Sequence, residues 1–374
     1  MSMKSLLFTD CVDLVGSACK PFSGIKKYVS TGAVDVDHII DSDTEIVNYD
    51  GKPSRANLEV MAGDVLFAKM QGTKKTLMID SVLADHIYST GFCAVRAKKG
   101  ILTKRCLYHL LTSEMFLSRK DKNCSGATQK AITNAGLGKI ALQVPSIDEQ
   151  DSIANQLDTI KGIITKRQQE LSSLDDLIKA RFVEMFGDRW SNNRSWSQKS
   201  LAEIADFYNG KAHEQVIDED GEYILVTSRC IASDLTDYRR TNALLFPLEA
   251  GDICMVMSDV PNGQALAKCI WIDEDNKYTL NQRICCFRNY ELNPVFFLHL
   301  LNRHEYLLSF NDGDSQTNLR KNDLLACPVI CPPMGLQEQF AAFIVQIDRF
   351  KSVIQKSLDE TRILLDSLMQ QYFG

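Results

Sequence analysis

No stretch of the 374 residues approaches the roughly 18 consecutive apolar side chains that a membrane-spanning helix needs. The first apolar run, Leu6-Leu7-Phe8, is broken at once by Asp10 and Asp13, so no secretory leader is readable and the expected location is the cytoplasm. Twelve cysteines are present but no C-x-x-C pair is. Cys327 and Cys331, or the adjacent Cys285 and Cys286, find no second pair or nearby His to complete a zinc site, so the thiols read as reduced, buried side chains. Proline is missing from Ser146 to Phe186, a stretch that a continuous helix can therefore occupy.

Catalytic signatures are missing too. The chain has no Gly-x4-Gly-Lys-Ser/Thr phosphate loop, no His-Glu-x-x-His zinc helix, no Gly-x-Ser-x-Gly nucleophile elbow and no glycine-rich S-adenosylmethionine loop. None of the six histidines forms a ligand pair; His299 and His304 are five apart, which does not put them on one helix face. Cys331-Pro332-Pro333-Met334 has the prolines of an amino-methyltransferase motif, but Cys and Met stand where an amide or hydroxyl and an aromatic are needed. It reads as an extended lead-in to a helix. Catalytic residues: none; metal ligands: none.

What is present is a folded chain with 45% hydrophobic and 24% charged residues, long enough for two or more domains. Its net charge of −6 is unevenly spread. Residues 1–147 carry 19 basic and 14 acidic side chains, whereas residues 189–335 carry 14 and 20. The first globular segment is thus basic and the second acidic, which permits a local basic groove in the first and weighs against strong binding to phosphates by the second alone.

An internal repeat of about 187 residues organises the chain. Gly63-Asp64-Val65-Leu66-Phe67 matches Gly251-Asp252-Ile253-Cys254-Met255, each a turn into a buried strand. Gly126-Ala127-Thr128-Gln129-Lys130 pairs with Gly313-Asp314-Ser315-Gln316-Thr317, and Phe186-Gly187 with Phe373-Gly374. Pro145 with Glu149-Gln150 is aligned with Pro333 and Glu338-Gln339. Each half closes on a long helix. In the first, Ile153, Leu157, Ile160, Ile164, Leu171, Leu174, Ile178 and Met185 step by alternating four and three, with Arg167 and Arg181 interrupting the seam. In the second, Phe343, Ile347, Phe350, Ile354, Leu364 and Leu368 keep the step, with Ser357 and Thr361 as weak points. Rods of roughly 50–55 Å cannot bury such stripes within one domain, and each is the natural partner of the other in an antiparallel pair. The expected fold is α+β: two tandem α/β domains, 1–147 and 189–335, separated by two long helices, 148–188 and 336–374, that form an antiparallel coiled coil.

This order of parts, with each domain ending in a Gly-x-Thr/Ser-Gln-type segment, a proline and an acidic-Gln helix start, and with the first helix closing on Ala180-Arg181-Phe182-Val183-Glu184-Met185-Phe186-Gly187-Asp188, resembles the specificity subunit of type I restriction-modification enzymes over nearly the whole chain. The resemblance implies a non-catalytic subunit whose two target recognition domains each read half of a split DNA site. The helices would set the gap between half-sites and dock two methyltransferase subunits, which would carry the S-adenosylmethionine and modify adenine. Restriction subunits could join. It implies no cofactor on this chain.

Candidate DNA contacts follow. In the first domain they are Lys69, Gln71, Thr73, Lys74 and Lys75, where Gly72 lets the loop bend, and Thr128, Gln129 and Lys130. In the second, the corresponding loop Ser258, Asp259, Asn262, Gly263 and Gln264 lacks lysine but offers Asn262 and Gln264, whose amides can pair with adenine. Gln316, Thr317, Asn318, Arg320 and Lys321 combine amides with two cations. Tyr28, Lys26, Lys27 and Lys211 are weaker candidates. Two other readings stay open: the recognition subunit of a related restriction system, and a coiled-coil scaffold with two protein-binding domains.

Overall fold

The computed structural model describes residues 3–260, 263–311, 313 and 315–374. They form two compact units, one made of the chain up to Gln169 together with Gln355–Gly374, the other of Glu170–Ile354. The long helices Ile147–Phe186 and Met334–Phe373 have 40 residues each, about 60 Å of rise. Both are shared, so that each unit holds half of each rod.

In the first unit a sheet runs in the order Val12–Val15, Phe92–Ala97, Val65–Ala68, Thr76–Met78, all antiparallel. A second has the order Glu45–Val47, Lys26–Val29, Ile87–Ser89, Ala56–Leu58, with its two middle strands parallel. The second unit repeats the plan: Asp206–Asn209, Ile284–Arg288, Ile253–Val256, Cys269–Trp271 in one sheet, and Arg239–Thr241, Tyr223–Val226, Tyr278–Leu280 in the other, the last two parallel. Val65–Ala68 and Ile253–Val256 are buried on both faces, as unbroken apolar strands should be.

The duplication extends to single atoms. Gly63 and Gly251 turn at φ 97° and 98°, a conformation that favours glycine. The following Asp64 and Asp252 are buried, and each accepts the backbone N–H three residues earlier, from Met61 and Glu249, at 2.8 Å. Each also takes an arginine from the neighbouring strand: Arg96 at 2.6 Å and Arg288 at 2.7 Å. A buried carboxylate is tolerated here because both its charge and its lone pairs are satisfied. The Gly-Asp motif is therefore a turn lock.

The helices pack antiparallel within each unit. In the second, Phe182 and Phe186 meet Phe340 ring against ring at 5.5 and 5.6 Å, and Asp175 pairs with Lys351 at 2.5 Å, partner numbers falling as the central helix advances. In the first, Gln156 accepts from the Tyr372 hydroxyl at 2.6 Å, and Ile153 and Leu157 share a core with Tyr372 and Phe373. The central-helix seam is as expected: every position from Ile153 to Met185, Arg167 and Arg181 included, is buried or half-buried. The terminal helix departs from expectation in one of its two columns. Ile347, Ile354, Thr361 and Leu368 do face inward, and of the other expected column Phe343 and Ser357 are half-buried but Phe350 and Leu364 are exposed; their neighbours Ile344, Lys351, Leu358 and Leu365 are the covered ones. Phe350 is 61% exposed and Leu364 49%, while Leu358 is 2% exposed. Lys351 holds a seam position by pairing with Asp175 at its edge, and hydropathy alone points to the apolar neighbour instead.

The proline and glutamine register also needs correcting. Gln150 is buried, donates to the carbonyls of Pro145 and Ile101 at 3.0 and 2.8 Å, and accepts from Thr103 N at 2.7 Å. Its counterpart is Gln337, not Gln339. Gln337 is equally buried, donates to Pro332 O at 2.8 Å and accepts from Asn293 N at 2.9 Å. Each glutamine ties the start of a long helix to its globular domain by satisfying backbone groups that would otherwise be orphaned.

Candidate nucleic-acid interface

In the first unit the parallel strands Lys26–Val29 and Ile87–Ser89 end side by side, and Thr31 and the Thr90-Gly91 turn leave from their carboxyl ends. The loop after Val65–Ala68 is drawn to the same place, Lys69 N donating to Gly91 O at 2.9 Å. The separate Thr128–Lys130 segment joins it: Gln71 N donates to Lys130 O and Ile132 N to Lys69 O, both at 2.9 Å, and Met70 bridges Ala131. Two sequence motifs some 55 residues apart thus make one surface. Beside it lies an open cleft of about 490 Å³ lined by the cations Arg55, Lys69 and Lys75 and by the polar Thr31, Thr73 and Gln129, with no carboxylate.

The candidate side chains differ in how free they are. Gln71, Thr128, Gln129 and Lys130 are exposed. Lys74 is ion-paired to Glu114, and Lys75 donates to Thr31 O at 2.8 Å. Neither Lys69 nor Lys130 has a side-chain ion pair among the described residues. Of the weaker candidates, Tyr28 is buried and cannot reach a ligand, and Lys27 pairs with Asp41 at 3.0 Å. Sequence reading missed Arg55 and Thr31, whose place depends on strand pairing that no local pattern reveals.

The second unit has a cleft at the corresponding place. Tyr223–Val226 and Tyr278–Leu280 are its parallel pair, and Thr227-Ser228 and Asn281 follow them at the carboxyl ends. The cleft is about 270 Å³, with Arg229, Arg239 and Arg283 against Glu214 and Asp237. Arg229 is held by Asp237 at 2.5 Å, whereas the exposed Arg239 and Arg283 have no ion pair among the described residues. These residues too were missed; two polar tripeptides, Thr227-Ser228-Arg229, which starts a short helix, and Asn281-Gln282-Arg283, were the only local signal.

The expected contacts of this half lie elsewhere. Ser258-Asp259 pairs antiparallel with Thr317-Asn318, the equivalent of the first unit's junction. Gln316 donates to Ser258 Oγ at 2.8 Å, and Thr317 is buried and donates to Asn311 Oδ1 at 2.9 Å. The Asp259 carboxylate closes its own loop, accepting from Val260, Ala265 and Leu266 N at 2.7–3.1 Å. Gln264 is exposed, its carbonyl taken by Arg303. Arg320 is exposed, and Lys321 lies 5.2 Å from the centre of the Phe207 ring. Asn262 lies outside the described residues. Among the described residues, none of these expected contacts lines the second cleft.

Two copies of one fold, each with a cleft at the ends of a parallel strand pair and with different side chains in it, define a two-module recognition protein. A family model, the type I restriction modification DNA specificity domain, matches residues 16–173 and 193–361. The chain belongs to that family; it recognises DNA sequence and is not itself a catalyst. Two solved structures share its fold. One, from work on complex assembly and conformational transition of the type I R-M system, has TM-score 0.60 at 18% identity, with 99% of this chain and 97% of the other covered. The other, the S subunit of a type I restriction-modification system from M. genitalium, has TM-score 0.55 at 16% identity over 100% of this chain and 96% of the other. No curated protein matches the chain significantly. Among the described residues no helix is long and apolar enough to cross a membrane.

Proposed function

We propose that the chain reads a bipartite, asymmetric DNA site, one half with each unit, inside a type I restriction-modification complex that works in the cytoplasm. The carrying observation is the pair of equivalent clefts with unlike linings. In the first, Arg55, Lys69, Lys75 and the neighbouring Lys130 meet phosphates, and Gln71, Thr128 and Gln129 approach base edges, where amides pair with adenine. In the second, Arg239 and Arg283 meet phosphates and Asn281 a base edge; outside that cleft the loop residues Gln316, Asn318, Arg320 and Lys321 are further contacts. Two methyltransferase subunits bind along the helices and carry the S-adenosylmethionine; restriction subunits join that assembly. The exposed Phe350 and Val353 on the second unit's share of the terminal helix, and Ile363 and Leu364 on the first unit's, support such docking, because single helices rarely leave that much apolar surface to water without a partner.

The test is a salt titration of DNA binding by the assembled complex. Lys69→Ala with Lys130→Ala should weaken binding to all sequences and lower the salt slope by about one per lost phosphate contact. An unchanged slope sinks the first cleft as a phosphate-binding surface.

A further inference from the structure

The helix Glu114–Lys122 turns a lysine inward beneath the first unit's recognition loop. Lys120 is fully buried. Its ammonium donates to Met70 O at 2.9 Å and Thr73 O at 3.0 Å, stands 3.5 Å from Ala68 O, and pairs with Asp121 at 3.2 Å. The same Asp121 accepts from Gly72 N through its other oxygen at 3.0 Å. Gly72 sits at φ 74° at the crown of the loop, where an added Cβ would meet nothing. Four backbone groups between Ala68 and Thr73 therefore end on two adjacent side chains of one helix. A lone buried ammonium is costly, and three carbonyls with a carboxylate are what offset it.

We infer that Lys120 and Asp121 are positioning residues for DNA reading: they hold the Lys69–Lys75 loop in its binding shape before DNA arrives, without touching DNA. This rests on the proposed role of that loop. A preformed loop spends no binding free energy on ordering itself, and ordering is where discrimination between sites is lost. The second unit has another arrangement, its loop closed by its own Asp259, so the effect is confined to one half-site.

The experiment uses the full chain assembled with its methyltransferase subunits, the target having been mapped by its methylated adenines. Binding is measured to duplexes scrambled in one half-site at a time. Lys120→Met should cut discrimination at the first unit's half-site tenfold or more and leave the other half-site within twofold. The salt slope should stay unchanged, since no phosphate contact is removed. Asp121→Asn, a milder change that keeps the lysine's carbonyl partners, should act in the same direction, and Lys122→Met on the exposed side of the helix should do nothing. Amide hydrogen exchange should quicken tenfold or more at Gln71–Thr73 and not in the strand Val65–Ala68. Discrimination kept at both halves, or lost equally at both, overturns the inference, as does unchanged exchange in the loop. If Gln71→Ala with Gln129→Ala leaves the first half-site untouched, the reading of the loop itself fails. If that pair acts and both clamp variants do not, only the clamp fails.

Discussion

The two units share their frame and differ in what they show to a ligand. Asp64 with Arg96 repeats in Asp252 with Arg288, Gln150 repeats in Gln337, and a parallel strand pair ends in a cleft in both. Yet the first cleft has three cations and no carboxylate, while the second sets two carboxylates among its arginines. The groups that lock the Gly-Asp turns and the starts of the long helices have kept their places; the groups that face solvent in the clefts have not. If the clefts bind DNA as proposed, affinity from phosphates is concentrated in the first unit; in the second, Arg229 is already held by Asp237 and meets a phosphate only by exchanging partners, while Arg239 and Arg283 have no ion pair among the described residues.

The sharpest check of the shared frame is its aromatic anchors. Phe186 and Phe373 close the two long helices and are fully buried. Phe186→Ala should cost the second unit, and Phe373→Ala the first, about 3–5 kcal/mol each. All three tryptophans, Trp190, Trp196 and Trp271, belong to the second unit, so their fluorescence in a denaturant series should follow Phe186→Ala, and hydrogen exchange in Val65–Ala68 should follow Phe373→Ala. Markedly unequal costs would break the equivalence.

Acid should separate the units. Burial pushes His299 and His304 of the second unit down to about 4, with Arg189 pushing each further in the same direction and Lys351 acting on His299; in the first unit burial pushes His109 down to about 4, and it lowers the less buried His86 in the same direction. These imidazoles stay neutral when folded and take up protons at the ordinary 6.5 when unfolded. Their contribution is complete above about pH 6.5 and is lost as pH falls toward 4. Two such groups should cost the second unit about 2–4 kcal/mol between pH 7 and 5, roughly double the loss in the first. A tryptophan-monitored midpoint that holds steady over this range contradicts it.

The smallest effect tests the charge difference itself. Asp237→Asn releases Arg229 and makes the second cleft more like the first. Affinity for unrelated DNA should rise severalfold, about 1 kcal/mol, with a steeper salt slope; no change would mean that this cleft lies away from the phosphates.

Much of this frame was legible. A heptad that tolerates Arg167 and Arg181 still marks the central seam, because their long aliphatic stems can lie along it; both residues are half-buried. The terminal helix misled because its apolar surface is wider than its seam, so Phe350 outweighed Lys351 by hydropathy when an ion pair to a distant residue decides between them. Lys120 is the other lesson. Ser118-Arg119-Lys120-Asp121-Lys122 reads as a solvated face, although Lys120 falls four residues after Phe116 and three after Leu117, on the buried side. The clefts were least legible, since Thr31 with Thr90, or Ser228 with Asn281, become neighbours only through parallel pairing of strands some 55 to 60 residues apart.

The sharing of both rods has a consequence for biosynthesis. The first unit's core includes Tyr372 and Phe373, so the domain that leaves the ribosome first lacks part of its interior until synthesis reaches the last residues of this chain. At roughly 5–20 residues per second it waits on the order of ten seconds or more with Ile153 and Leu157 uncovered. A nascent chain cut short before Gln355 would therefore spoil the module farthest from the break along the polypeptide.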